Sequence, residues 1–257
     1  MKHEIDELIL RARGGVAKVI LPGGKSGSAF FVSSNTLVTA AHVVESFNIV
    51  GLKLNGYSDV LGAKVTFIKP EYDIAFLEVT ADKEGEPLQL LENGSLRIGD
   101  DLLIVGFPLG SNKLTFHHGH ISAIGPARDF PAGKLEELRG DCPLIQIDAT
   151  INEGFSGGPV FHLQTEKVCG FITSKYGLLR DLRQLRESIE QLLQHPLTQT
   201  FRTEGAGVVI SGVDFGKLVT FILDSLEVLL RNLRILHVGI GYAVSSDIFS
   251  RLTRSKL

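Results

Sequence analysis

From about Gly15 to about Ile124 the chain alternates short apolar runs with turns. The runs read "VAKVIL", "SAFFVSS", "TLVTAAHVV", "GAKVTFI", "DIAFLEV", "DLLIVGF" and "HISAIG", and PGG, SSN, NG and PLG punctuate them. Segments rich in valine, isoleucine and phenylalanine, bounded by glycine, proline and asparagine, predict many short strands and therefore a barrel or a sandwich. A polar stretch runs from Pro126 to Pro143, after which "LIQIDATI", "GPVFHL" and "KVCGFITS" resume the strand-like pattern. At Tyr176 the period changes. Leu178, Leu182, Leu185, Ile189 and Leu192 recur at helical spacing, Arg180, Arg183, Arg186, Glu187 and Glu190 fall on other faces, and Pro196 closes the run. A second helical pattern covers roughly Phe215 to Leu236, and a strand-like "VGIGYAV" follows it. The expected helices thus interrupt a β domain; they do not follow it. There is no internal repeat and no low-complexity linker.

Composition narrows the function classes. With 257 residues, 44% of them apolar, the chain can bury a large core, as one large all-β domain or two smaller ones, which argues against disorder. A formal net charge of −3 and the lack of any Lys/Arg-rich run argue against nucleic acid as a partner. The start, "MKHEIDELILRARGG", carries Glu4, Asp6 and Glu7 where a secretory signal has an apolar core, so export is not expected. Leu218 to Val238 is long enough to span a bilayer, but Asp224, Glu227, Arg231 and Arg234 lie within it. It is expected to be a buried or docking helix, with no stable membrane span. Cys142 and Cys169 form neither a disulfide framework nor a zinc motif, which favours a reducing, cytoplasmic setting.

The chemistry centres on "NEGFSGGPVF", residues 152–161, where glycines flank Ser156 on both sides. Such a corner gives the backbone freedom at the cost of chain entropy. A serine hydroxyl is a weak nucleophile at neutral pH, so it needs an imidazole to take its proton and a third group to hold that imidazole. His42 stands in "LVTAAHVV", where a strand gives way to small residues, and Asp73 opens the apolar strand of "PEYDIAFLEV". The order His42, Asp73, Ser156 is that of the chymotrypsin class.

Seven blocks, "GSAFFVSSNTLVTAAHVV", "YDIAFLEV", "GDDLLIVGFPLG", "GHISAIG", "LIQIDATINEGFSGGPVF", "KVCGFITS" and "GIGYAVSSD", resemble in the same order the protease domain of the HtrA/Deg trypsin-like serine proteases. The resemblance runs from about Val16 to Asp247, apart from the helical stretch. It implies a mostly β fold of two six-stranded Greek-key barrels with the active site in the cleft between them. The expected layout is a first barrel over residues 1–111, with a short leading helix or strand. A second barrel over 112–257 is interrupted by a helical insertion at about 176–237. The resemblance also implies that His42 acts as general base and then acid, that Asp73 holds its imidazole, and that Ser156 attacks the scissile carbonyl. The amides of Gly154 and Ser156 would form the oxyanion hole. It puts Ala149, Thr150 and Ile151 along the primary substrate pocket, with Thr173 and Ser174 also at the substrate, and places no aspartate there to pair a basic side chain. Small to medium apolar residues are expected before the cut.

Three departures from the family stand out. Phe155 replaces a small polar residue and Glu153 a frequent proline, which predicts a reshaped or latent oxyanion loop. No PDZ-like block follows "GIGYAVSSD", so substrate delivery by such a domain is not expected. The connection from Lys175 to about Val238 is long where the family has a short pocket loop, and its helices are expected to form a cap or docking arm at the cleft. Two functions of different class follow. One is a cofactor-independent serine endopeptidase acting on protein or peptide substrates; the other is a silent or latent protease-fold module that binds a protein partner or ligand through the insertion. In "FHHGHIS", His117, His118 and His120 raise a metal hypothesis, since His118 and His120 share a strand face, but alternating histidines without a nearby cysteine read more simply as surface residues.

Overall fold

The computed structural model describes residues 2–80, 84–91, 96–130, 138–175, 222, 224 and 239–254. Helix α1 (Lys2–Gly15) leads into β1 (Val16–Ile20), β2 (Ser26–Phe31) and β3 (Thr36–Ala40). The four-residue helix α2 (Ala41–Val44) follows, then β4 (Ile49–Leu54), β5 (Leu61–Lys69) and β6 (Ile74–Val79). These six strands close into a barrel in the order β1-β2-β3-β6-β5-β4, with β1 pairing β4. The second set is β7 (Asp101–Gly106), β8 (Thr115–Pro126), β9 (Pro143–Ile147), β10 (Pro159–His162), β11 (Lys167–Lys175) and β12 (Gly241–Ser245). It closes as β10-β11-β12-β9-β8-β7, and α3 (Asp247–Arg254) ends the described chain.

The expected boundary after residue 111 needs correction. Strand β7 pairs with β8 and β10, so the second barrel already begins at Asp101. A strand cannot be assigned to a barrel from its own residues, because its partners lie elsewhere in the chain. Residues 177–237 form a compact unit of their own, within which Ile222 and Asp224 are described, both helical. The paired helices expected there, and their placement at a cleft, otherwise lie outside the described residues. Among the described residues no helix is long and apolar enough to cross a membrane.

Strands β1, β2, β3, β7 and β12 read as apolar runs rather than clean alternations because both of their faces are covered. Ala17, Ala29, Phe31, Leu37 and Leu77 fill the first barrel, and Leu102, Ile104, Ile145, Ile147 and Val160 fill the second. The intervening residues Val16, Phe30 and Val38 turn outward and meet Val105, Phe107, Phe161 and Phe171 in a third cluster, which is the seam between barrels. Helix α1 adds Leu8 and Ala12, one turn apart, to that seam. Arg11 also pairs with Glu166 of the β10–β11 turn.

The seam is thus a core shared by two barrels, and emptying it has a measurable cost. Phe30 is completely buried, so Phe30→Ala is expected to remove about 3–5 kcal/mol of unfolding free energy. Urea denaturation reads this as a lower midpoint; a loss under about 1 kcal/mol would show that the seam collapses around the gap.

Candidate active site

Asp73 owes its position to the turn before β6. Pro70–Tyr72 forms a 3₁₀ turn, closed by the Asp73 amide donating to the Pro70 carbonyl at 2.9 Å. Asp73 itself is left-handed (φ 49°, ψ 40°), a region that aspartate tolerates better than most residues. On the neighbouring strand, α2 begins where β3 ends, anchored by buried Val43 and Val44. The backbones interlock: the Ala41 amide donates to the Asp73 carbonyl at 3.0 Å and the His42 amide to Asp73 Oδ1 at 2.9 Å. The His42 ring completes the contact, with Nδ1 at 3.0 Å from Oδ1 and 2.9 Å from Oδ2. Because a carboxylate only accepts, this pairing puts a proton on Nδ1 and leaves Nε2 to take one from elsewhere. Asp73 is 7% exposed, so the interaction is shielded from water on the carboxylate side.

A third donor reaches Asp73 from the other barrel. The Thr173 hydroxyl of β11 donates to Asp73 Oδ2. The sequence reading put Thr173 at the substrate; its buried hydroxyl is bound to the carboxylate that holds His42. The remaining pocket candidates divide. Ala149 and Ile151 are turned into the second barrel's core, and Thr150 is exposed. The backbone of Ser174 pairs with Tyr242.

Ser156 lies in the loop between β9 and β10, and that loop is fastened to the first barrel through Ser28 of β2. The Ser28 amide donates to the Ser156 carbonyl at 2.8 Å. Its hydroxyl donates to the Gly154 carbonyl at 2.6 Å and accepts from the Phe107 amide at 3.0 Å. The Ser28 carbonyl accepts from the Thr39 hydroxyl at 2.8 Å. Ser28 is fully buried, and a serine on a strand next to two phenylalanines gives no sign in the sequence that it performs this task. Two glycines allow the approach: a Cβ on Gly157 (φ 82°) would stand 2.2 Å from the Ser28 carbonyl oxygen, and one on Gly154 (φ 97°) 2.2 Å from that of Phe107. Lys18 of β1 adds a further tie, donating to the Gly110 carbonyl at 2.6 Å and to Asn112 Oδ1 at 3.1 Å. Burial, with Lys53 adding to it, holds its ammonium below the usual lysine range.

Within the loop, backbone amides are used selectively. Those of Phe155, Gly157 and Gly158 donate to the carbonyls of Asn152, Ile172 and Phe155, and the Glu153 carbonyl accepts from Leu109. Among the described residues the amides of Gly154 and Ser156 have no acceptor. The side chain of Phe155, read from sequence as a disturbance of this loop, points into the second barrel's core. There it meets the ring of His117, with centroids 4.7 Å apart. His117 Nδ1 in turn donates to the Thr150 carbonyl at 2.9 Å. His117 therefore braces the Ser156 loop from behind. Both cysteines are buried and outside any disulfide; burial pushes the Cys169 thiol up to about 12, far from the thiolate a nucleophile needs.

Comparisons with known proteins identify the family and the fold. A model of the trypsin-like peptidase domain matches residues 27–171, more than half of the chain, and the chain belongs to that family. Among curated relatives, the chloroplastic protease Do-like 2 of Arabidopsis thaliana is 39% identical over 145 residues, covering 55% of this chain and 22% of that protein. A Rickettsia conorii protein named "Probable periplasmic serine endoprotease DegP-like" is 30% identical over 183 residues, 70% of this chain and 34% of its own length. The chain thus spans about a third or less of these relatives. Among solved structures, the HtrA-type protease AlgW with tripeptide superposes with a TM-score of 0.63 at 22% identity, covering 97% of this chain and 62% of that one. The active form of the Rv3671c protease from M. tuberculosis gives 0.55 at 23% identity, over 67% and 75%. The domain is of the HtrA-like trypsin fold.

Loss of the Ser28 hydroxyl would strand two buried backbone groups, the Phe107 amide and the Gly154 carbonyl. Ser28→Ala is expected to cost about 2 kcal/mol or more, and Gly157→Ala, which meets backbone in a left-handed conformation, at least as much. Thermal and urea unfolding of the two variants measure this, and a Ser28→Ala protein within about 0.5 kcal/mol of wild type would remove the serine from this role.

Proposed function

We propose that the chain is a serine endopeptidase that hydrolyses peptide bonds of protein substrates with Ser156 as nucleophile, His42 as general base and then acid, and Asp73 as the group that orients His42. The observation that carries this reading is the pattern of free and used amides in the loop. Gly154 and Ser156 alone in the run 154–158 keep their N–H groups without an acceptor among the described residues. Two such donors, one on the nucleophile residue itself and one two residues before it, are what an acyl-transfer oxyanion requires. The reaction then runs through this chain's own groups. His42 Nε2, free because Nδ1 is held by Asp73, takes the Ser156 proton as Oγ adds to the carbonyl. The resulting oxyanion accepts from the two amides, each worth about 3 kcal/mol to the transition state. His42 returns the proton to the leaving amine, and water repeats the sequence to release the acyl group. Thr173 and Ser28 act by position: the first fixes the carboxylate, the second the loop.

The rival reading, a silent or latent module, drew on Glu153 and on the bulky side chain of Phe155 as disturbances of the loop. That side chain is turned away from the amides and into the core, which favours the enzyme. A serine-directed fluorophosphonate probe tests the proposal. Wild type is expected to label, Ser156→Ala and His42→Ala to lose labelling, and casein cleavage to fall by about a thousandfold or more in each. A folded wild type that neither labels nor cleaves would overturn it.

A further inference from the structure

Outside the cleft, β7, β8 and β9 bring together a second group of side chains that carries chemistry. In the β7–β8 ladder Asp101 stands opposite His120 and Leu103 opposite His118. The period of two puts His118 and His120 on one face, and Asp101 reaches the same patch from the adjoining strand. His118 Nε2 lies 3.4 Å and His120 Nε2 3.1 Å from Asp101 Oδ1. One ligand atom from each of the three residues falls within 4.8 Å of the others. The two rings meet edge to face, with centroids 5.3 Å apart. On the far side of His120, Asp148 Oδ1 lies 3.5 Å from Nδ1 while accepting the His120 backbone amide at 2.6 Å.

We propose that Asp101, His118 and His120 form a binding site for a divalent transition ion of the zinc class. Two imidazole nitrogens and one carboxylate oxygen, with a fourth position open to water, form a donor set suited to zinc. Calcium and magnesium prefer all-oxygen shells and do not suit this one. Asp148 stands on the Nδ1 side of His120, 3.5 Å away, in the place of the outer carboxylate that commonly accompanies a metal-binding histidine, while Nε2 faces Asp101. All four groups sit on strands of a closed barrel or at their ends, so ordering of the ligands is largely achieved on folding. Exposed pairing of aspartate with histidine contributes little to stability, which leaves the convergence of Asp101 with two imidazoles without a folding rationale. Solvent reaches the cluster directly, since His118, His120 and Asp101 are 54%, 47% and 57% exposed. The opposite face of the same strand carries His117, the residue behind the Ser156 loop, but the proposal stands apart from the chain's activity.

Isothermal titration of the metal-free full chain with zinc chloride tests it. Wild type is expected to bind one ion at micromolar concentration or tighter. His118→Ala and His120→Ala are expected to bind at least about tenfold weaker, and Asp148→Asn about tenfold weaker through the outer shell. Cobalt replacing zinc is expected to give the visible absorption of a four-coordinate nitrogen and oxygen site in wild type alone. The substituted side chains are exposed, and circular dichroism checks that each variant is folded. Absence of zinc binding by wild type, or undiminished binding by a His118→Ala/His120→Ala double variant, would overturn the assignment.

Discussion

The candidate site depends on hydrogen bonds that cross the seam between two barrels. On one side Asp73 of the first barrel accepts from the Thr173 hydroxyl of the second; on the other, Ser28 of the first barrel binds the carbonyls of Gly154 and Ser156 in the second. Each of these groups is buried or nearly so, where an unmatched donor or acceptor is costly. The two barrels therefore meet in one register, which sets Thr173 against the Asp73–His42 pair and the Ser156 loop against Ser28.

This arrangement divides the work between packing and polar contacts. Phe30, Phe107, Phe161 and Phe171 supply apolar area along the seam, which is non-directional and tolerates sliding. Directional bonds from Ser28, Thr173 and Lys18 select one position among those that packing allows. Gly157 serves the same end, since any side chain there would stand between the Ser156 loop and the backbone of the first barrel, while Gly154 lets the loop pack against Phe107 of its own barrel. Strain at these φ values is confined to residues without a Cβ, so the loop holds its shape at small conformational cost.

Second-barrel strands serve two purposes at once. The face of β8 that carries His117 supports Phe155 and Thr150, while His118 and His120 on its outer face face Asp101. A strand in a closed barrel can do this because successive side chains point to opposite faces and its ends are held by pairing on both sides. Phe155 shows the same economy. A residue expected to disturb the oxyanion loop fills core space, and the loop's backbone remains available to a ligand.

Much of this was legible in the order of residues. Apolar runs between turns predicted short strands, while the double barrel and the candidate triad of His42, Asp73 and Ser156 were legible through the resemblance of the blocks around them to a known family. The pairing of Asp73 with His42 was legible only as an expectation of that resemblance. What residue order could not reveal were contacts between residues far apart in the chain: β7 as a member of the second barrel, Ser28 as the fastening of the Ser156 loop, the Thr173 hydroxyl on Asp73, and Asp101 beside His118 and His120. Neighbours along a strand follow from its period, but neighbours across a ladder or a seam follow from register and closure, which only the folded barrels decide.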